Sequence, residues 1–131
     1  MQFDSTNKPS GIHRIYLAFT NSMRAFKWLS ENEAAFKQEL ILLVVSLIII
    51  VTWQIEIYAK LMLLISVLFV LFAEVVNTAI EATIDRISLD IHPLSGLAKD
   101  LGSAAVFIAI LICASVWIAV FISYIDDFLI E

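Results

Sequence analysis

One uncharged stretch, residues 101–125, limits the possible folds of this chain more than any other feature. It holds twenty-five residues without a charge between Asp100 and Asp126. A transmembrane α-helix needs about 20 predominantly apolar residues, so this stretch is long enough to cross a bilayer with some tilt. Small residues recur along it, as expected where helices approach each other closely. They are Gly102, Ser103, Ala104, Ala105, Ala109, Ala114 and Ser115.

The overall composition indicates the same class of protein. Hydrophobic residues make up 61% of the chain and charged residues only 16%, so a soluble fold of this size would have too little polar surface to cover itself. The formal net charge is −5 and no basic cluster occurs, which argues against nucleic acid as a partner. The single cysteine, Cys113, lies inside the apolar stretch, and we expect a buried, unreactive thiol.

Two shorter apolar runs predict two further transmembrane helices. Residues 40–55 and 61–73 carry no charge, and each run must extend into its flanks to reach membrane length. Before them, apolar and basic residues alternate near the helical period, which is typical of an amphipathic helix in the headgroup layer; a soluble partner-binding helix is the alternative. The expected elements are a surface helix at about 11–30 and transmembrane helices at about 36–54, 58–85 and 100–125. The predicted fold is therefore an all-α membrane protein with one domain over residues 1–131.

Basic residues indicate how these helices are oriented. Seven of the eight Lys and Arg residues precede the first uncharged run, residues 40–55, or lie between the second and third runs, and only Lys60 lies between the first and second runs. The positive-inside rule therefore predicts a cytoplasmic N-terminus and an external C-terminus. The first thirty residues contain several charges and no continuous apolar segment, so we expect no cleavable signal peptide.

Four polar residues share one face of the second transmembrane helix. At about 100° per residue, Glu74, Asn77, Glu81 and Asp85 fall within an arc of about 80°. Carboxylates held where hydrocarbon meets water are unfavourable unless a cation or a proton compensates them. At such a position an apolar alcohol from the lipid can meet a Mg²⁺-nucleotide from the water. The alternative interpretation is a water-facing helix end without a chemical role.

The ways in which this chain can bind a nucleotide are limited. Its three glycines, Gly11, Gly96 and Gly102, cannot form either of the glycine-rich phosphate-binding motifs. The nucleotide phosphates can still be held by carboxylates that bind Mg²⁺ and by basic side chains that contact the phosphate oxygens directly. The candidate Mg²⁺ ligands are Glu33 and Glu81. The candidate cations for the phosphate oxygens are Lys99, Arg14 and His92.

Within the polar face, Glu74 lies deepest in the membrane and nearest to the hydroxyl of a lipid, so we assign it as the general base. Asn77 could orient Glu74 or hold a water molecule. Asp85 is expected to tie the helix end to the following loop.

Structural roles are the alternatives for several of the other candidates. His92 could be a solvated loop residue, and Lys99 with Asp100 could be an interfacial anchor at a helix start. Glu33 could simply help to start a helix, with Asn32 as its N-cap.

Three segments resemble a known family. They are N-E-A-A-F-K-Q-E (32–39), E-V-V-N-T-A-I-E-A-T-I-D (74–85) and H-P-L-S-G-L-A-K-D-L-G-S-A-A-V (92–106). Together they closely resemble the prokaryotic integral-membrane diacylglycerol kinases, and the similarity extends from roughly Arg14 to the C-terminus. The resemblance implies a homotrimer whose active sites combine helices of neighbouring chains.

The resemblance also implies roles for individual residues. Glu74 corresponds to the base, and Glu33 and Glu81 correspond to the metal ligands. The residues matching the ATP site are Arg14, Asn21, Glu33, Glu81, Asp90, His92, Lys99 and Asp100. Those matching the lipid-substrate site are Glu74 and Ser103. Two positions depart from the family pattern: Leu97 replaces a common basic residue, and Asn21 replaces a common aromatic one.

The expected function is the ATP- and Mg²⁺-dependent phosphorylation of diacylglycerol to phosphatidic acid at the cytoplasmic face of a bacterial inner membrane. An undecaprenol kinase of the same superfamily is the nearest alternative, although the segment G-S-A-A-V (102–106) looks more like the diacylglycerol branch. A small membrane channel or a structural subunit without chemistry is a further alternative, because intramembrane carboxylates also mark ion paths.

Overall fold

The computed structural model describes residues 11–87 and 90–130, with side chains described up to residue 125. Within these ranges the chain forms helices and no strand. The helices are α1 (Gly11–Asn32), α2 (Ala34–Thr52), α3 (Ile57–Ile87) and α4 (Pro93–Ile130). Three of them are long and apolar enough to cross a membrane: Ala34–Thr52, Ile57–Ile87 and Pro93–Ile125. The predicted all-α membrane architecture is confirmed, and the homotrimer stays a prediction.

The chain divides into two compact units, residues 1–37 and residues 38–131. The described part of the first unit contains α1, whose large apolar side chains form an exposed stripe. The stripe consists of Ile12, Ile15, Tyr16, Phe19, Met23 and Phe26. At about 100° per residue these positions fall within an arc of about 100°. Such a stripe suits a helix in the headgroup layer, and that location stays a prediction.

The hydrogen bonds at the junction of α1 and α2 continue the helical pattern. The Glu33 amide donates to the Leu29 carbonyl at 2.9 Å, and the Lys37 amide donates to the Glu33 carbonyl at 3.2 Å. The Asn32 side chain donates to the Trp28 carbonyl at 2.8 Å. Asn32 therefore satisfies a carbonyl at the end of α1, which extends two residues beyond the expected end at residue 30.

The core of the second unit lies between α3 and α4. Its buried members are Val67, Val70, Ala73, Ala109 and Cys113. Ala109 is completely buried, and so small a side chain lets the two helices approach closely. The Ser66 hydroxyl donates to the Leu63 carbonyl at 2.7 Å and lies 3.5 Å from the Cys113 sulfur. Cys113 is the buried free thiol that the sequence predicts.

Helix α4 begins at Pro93, seven residues before the expected start at residue 100. Proline suits the first position of a helix, since its missing N–H is not needed there. The His92 carbonyl accepts the amide of Gly96 at 3.1 Å, and His92 Nδ1 accepts the amide of Leu94 at 3.2 Å. His92 is therefore the N-cap of α4. The early start places Lys99 inside the helix, about two turns from its beginning.

The connection between α2 and α3 is short and is rich in aromatic contacts. The ring of Trp53 packs edge-on against Phe121 and Tyr124 of α4, with centroid distances of 6.4 and 6.0 Å. The Tyr124 hydroxyl accepts the backbone amide of Glu56 at 3.2 Å. These contacts hold the connection between α2 and α3 against α4. They lie near the N-terminal end of α3, whereas Glu74 lies in its C-terminal half.

Candidate functional site

The polar face of α3 becomes more exposed toward the C-terminal end of the helix. Glu74 is 6% exposed and Asn77 is 9% exposed. Glu81, one turn further, is partly exposed, and Asp85 is exposed. The helix continues past the apolar segment because its other faces still carry Val76 and Ile80, with Ile84 beyond them. The exposure of the acidic side chains of α3 therefore increases along the helix, from Glu74 through Glu81 to Asp85.

Asn77 forms a side-chain hydrogen bond to Glu81. Its side-chain Nδ2 donates to Glu81 Oε1 at 3.1 Å, across one turn of α3. The two roles expected for Asn77, orienting Glu74 or holding a water molecule, stay predictions. A hydrogen bond of this kind restricts the rotamers of a carboxylate that would otherwise be mobile at a partly exposed position.

The oxygen of the Asn77 side-chain amide faces Gly102 of α4. A Cβ added at Gly102 would overlap Asn77 Oδ1. That oxygen is buried and has no hydrogen-bond partner among the described residues. The sequence gives Gly102 only as one of several small residues in the third apolar stretch. Its specific role depends on how α3 and α4 are aligned.

Glu39 of α2 is a second carboxylate at the buried end of the polar face, and the expected set of site residues omits it. It interacts electrostatically with Glu74, and its Oε2 is buried without a hydrogen-bond partner in the described part of the chain. One sequence signal could have identified it. Glu39 is the last charged residue before the uncharged run at residues 40–55, which places it at the hydrocarbon boundary.

Asp85 and Lys99 join α3 to α4 at the exposed end of the site. Lys99 Nζ donates to Asp85 Oδ1 at 2.6 Å, and the two side chains are 39% and 55% exposed. Asp85 was expected to tie the helix end to the loop that follows, and it ties it to α4 instead. An ion pair this exposed contributes little to stability, so Lys99 can exchange its partner for another anion readily.

A cavity of about 210 Å³ adjoins this ion pair. Asp85, Asp90, His92 and Lys99 are among the residues that line it. The structure therefore brings together three of the residues expected at the ATP site, Asp90, His92 and Lys99. His92 uses Nδ1 to cap α4, so Nε2 is the nitrogen through which it could contact a ligand.

The remaining candidates on α4 are Asp100 and Ser103, both exposed. Ser103 lies one turn after Lys99 along the helix, and a four-residue spacing places both on the same side. The order from Lys99 to Ser103 runs toward the apolar part of the helix, as expected if one residue contacts phosphate and the other contacts lipid.

Three candidates belong to the first unit. Arg14 and Asn21 are exposed residues of α1, seven residues and thus about two turns apart on one side of the helix. Glu33 is partly buried at the junction of α1 and α2. Their assignments to the nucleotide and the metal stay predictions.

Within the described part of the chain, no three His, Cys, Asp or Glu side chains come together as a metal site. Mg²⁺ in nucleotide sites usually takes only one or two carboxylates, with water and phosphate oxygens as the other ligands. Glu81 suits that role, because the hydrogen bond from Asn77 engages only one of its two carboxylate oxygens. The chemistry of the site therefore fits a hard divalent cation.

Taken together, the fold and the site define an integral-membrane protein with an acidic cluster at one end of a membrane helix, beside a cavity that contains a lysine. Comparisons with known proteins agree with this class. Residues 20–121 match the family described as prokaryotic diacylglycerol kinase.

Curated relatives match most of the chain. The diacylglycerol kinase of Escherichia coli K12 is 39% identical over 111 residues, covering 85% of this chain and 91% of the relative. The diacylglycerol kinase of Pseudomonas aeruginosa is 38% identical over 108 residues, covering 82% and 88%. That of Haemophilus influenzae is 39% identical over 111 residues, covering 84% and 93%.

This chain belongs to the prokaryotic diacylglycerol kinase family. It is therefore an enzyme: a bacterial kinase that is embedded in a membrane. The family resemblance of the three sequence segments is confirmed, and the non-enzymatic alternatives are excluded.

Proposed function

We propose that this protein transfers the γ-phosphoryl group of ATP to the free hydroxyl of diacylglycerol, giving phosphatidic acid and ADP. The names of the relatives support diacylglycerol as the acceptor. The observation that carries the proposal is the position of Glu74, which is buried in the C-terminal half of α3 and lies one turn before the hydrogen-bonded pair of Asn77 and Glu81.

Glu74 is proposed as the general base. Its carboxylate accepts the proton of the lipid hydroxyl as the hydroxyl oxygen forms its bond to the γ-phosphorus and the bond to ADP breaks. Burial at 6% exposure keeps bulk water from competing with the alcohol for the phosphoryl group. Positioning of this kind is the main contribution that a protein makes to phosphoryl transfer.

Glu81 is proposed as a Mg²⁺ ligand, with Glu33 from the first unit as a second ligand. When bound, Mg²⁺ neutralises charge on the phosphate oxygens. Asn77 restricts Glu81 to one orientation, as partners in the outer shell of metal sites commonly do. One turn of helix, about 5.4 Å of rise, separates neighbouring members of the series from Glu74 to Glu81. The spacing lets one side chain face the alcohol and another face the triphosphate.

The cavity beside Lys99 is proposed as part of the nucleotide site. Lys99 would exchange Asp85 for a phosphate oxygen when ATP binds, because both partners of the ion pair are partly exposed. Further contacts to ATP are proposed for five other residues: Arg14, Asn21, Asp90, His92 and Asp100. Ser103 is proposed to contact the lipid.

The protein is proposed to work as a homotrimer in the bacterial inner membrane, with each active site assembled from neighbouring chains. The distribution of basic residues supports a cytoplasmic N-terminus and an external C-terminus. This orientation places the inner end of α3 on the side where ATP is available. Glu39 favours assembly, because one chain buries it only in part and a neighbouring chain would shield its carboxylate from lipid.

A transfer assay tests the proposed reaction. The purified protein in detergent receives γ-labelled ATP, Mg²⁺ and either diacylglycerol or undecaprenol. We expect labelled phosphatidic acid to form with a higher kcat/KM than labelled polyprenyl phosphate. Faster phosphorylation of undecaprenol would assign the protein to the other acceptor class, and no transfer to either alcohol would refute the proposal.

A further inference from the structure

We propose that Gly102 is a positioning residue for Glu81, acting through the side-chain amide of Asn77. This inference rests on the proposed function, because it assigns to Gly102 the orientation of the proposed Mg²⁺ ligand. Gly102 itself touches neither substrate nor metal.

The first step of the argument concerns the two ends of the Asn77 amide. One end, Nδ2, donates to Glu81 Oε1 at 3.1 Å. The other end, Oδ1, faces Gly102, at the place that a Cβ would occupy. A glycine carries only a hydrogen there, so the clash that any other residue would produce does not arise. Gly102 is itself buried, and the amide therefore has a fixed neighbour on each side.

The second step concerns the orientation of the amide. If the amide were reversed, Oδ1 would face the carboxylate of Glu81, and two acceptors would meet without a proton between them. The observed orientation avoids this contact, although it leaves Oδ1 buried without a hydrogen-bond partner among the described residues. Oδ1 fits at this buried position because the residue beside it, Gly102, has a hydrogen in place of a side chain. The carboxylate of Glu81 thus determines which end of Asn77 faces it, and the space at Gly102 accommodates the other end.

The third step connects this geometry to the metal. The N–H of Asn77 engages one oxygen of Glu81 and leaves the carboxylate one oxygen with which to bind Mg²⁺. Loss of such a hydrogen bond in other metal sites lowers metal affinity or activity by about 10- to 100-fold. A methyl group at position 102 would displace the amide and release Glu81. Gly102→Ala should therefore raise the Mg²⁺ concentration that phosphoryl transfer requires.

The test compares four proteins at saturating diacylglycerol and ATP: wild type, Gly102→Ala, Asn77→Ala and the double variant. The activity of each is measured against Mg²⁺ concentration, divalent-cation binding without turnover is measured by titrating the ADP-bound protein with Mn²⁺ followed by EPR, and the oligomeric state is checked by gel filtration. We expect the half-saturating Mg²⁺ concentration to rise about 10-fold or more in both single variants, with the KM for diacylglycerol unchanged. In the Asn77→Ala background the added methyl has room, so Gly102→Ala should cause no further increase.

Ala104→Val is the matched control. It adds carbon atoms to α4 at an exposed position two residues away, about 200° around the helix from Gly102. Its Mg²⁺ requirement should equal that of the wild type.

Two results would overturn the positioning role: a folded Gly102→Ala variant with the wild-type Mg²⁺ requirement, or effects that add in the double variant. If Gly102→Ala does not fold, an unchanged Mg²⁺ requirement in Asn77→Ala would overturn it. Either result, obtained with a wild-type protein that phosphorylates diacylglycerol, leaves the proposed function intact. A wild-type protein that phosphorylates no lipid would refute that function instead.

Discussion

Ala109→Leu should destabilise the contact between α3 and α4 and reduce activity at a distance. Ala109 is 0% exposed and packs within the buried cluster that contains Val67 and Val70. Leucine adds three carbon atoms to a site that has no free space. The two valines cannot easily move aside, because their β-branched side chains have few alternative rotamers. Overpacking of a buried site usually lowers stability by about 1–3 kcal/mol, and the complete enclosure of Ala109 places this variant near 3 kcal/mol.

The effect on activity follows from the distance to the site. Gly102 lies seven residues before Ala109, or about 10.5 Å along α4. A shift of α4 away from α3 would therefore also separate Gly102 from Asn77. The hydrogen bond from Asn77 to Glu81 would then lose its packing support, and loss of such a bond at other metal sites lowers metal affinity or activity by about 10- to 100-fold. We expect kcat to fall by at least 10-fold even under conditions where the variant remains folded.

Stability would be measured by reversible unfolding in mixed detergent micelles, and activity by labelled phosphoryl transfer. Ala104→Leu adds the same three carbon atoms at an exposed position of the same helix and serves as the control. Equal unfolding free energies for the two variants would contradict the close packing of α3 against α4.

Two further predictions concern the ion pair at the exposed end of the site. Asp85→Asn should leave the midpoint of detergent unfolding almost unchanged, because Asp85 and Lys99 are both partly exposed; a large fall in the midpoint would contradict a weak ion pair. Lys99→Met should remove a charged hydrogen bond to phosphate and so lower kcat/KM for ATP by about 10- to 150-fold. Steady-state kinetics at fixed diacylglycerol would check this, and an unchanged kcat/KM would exclude Lys99 from the nucleotide site.

Much of the fold follows from local sequence. The uncharged runs predict three long helices, because only helices of that length can satisfy their backbone in hydrocarbon. The period of apolar residues in α1 predicts its exposed stripe. The start of α4 was misplaced because the apolar run begins near residue 101, whereas the cap formed by His92 and Pro93 sets the actual beginning.

The candidate site was predictable where it depends on one helix and not where it depends on two. The spacing of Glu74 and Glu81 follows from helical geometry, so their shared face could be identified from the sequence. The role of Gly102 and the approach of Glu39 to Glu74 depend on how α4 and α2 align with α3. Alignment of this kind is determined by packing over the whole interface, and no local pattern encodes it.

The most direct test of the central claim is the rate of phosphoryl transfer by Glu74→Gln. Glutamine has nearly the same shape as glutamate and cannot accept the hydroxyl proton, and at 6% exposure water has little access to replace the lost base. General-base catalysis is typically worth about 100- to 10,000-fold, so kcat for diacylglycerol should fall by that factor while the oligomer and the Mg²⁺ requirement stay unchanged. A Glu74→Gln variant with wild-type kcat would contradict the account.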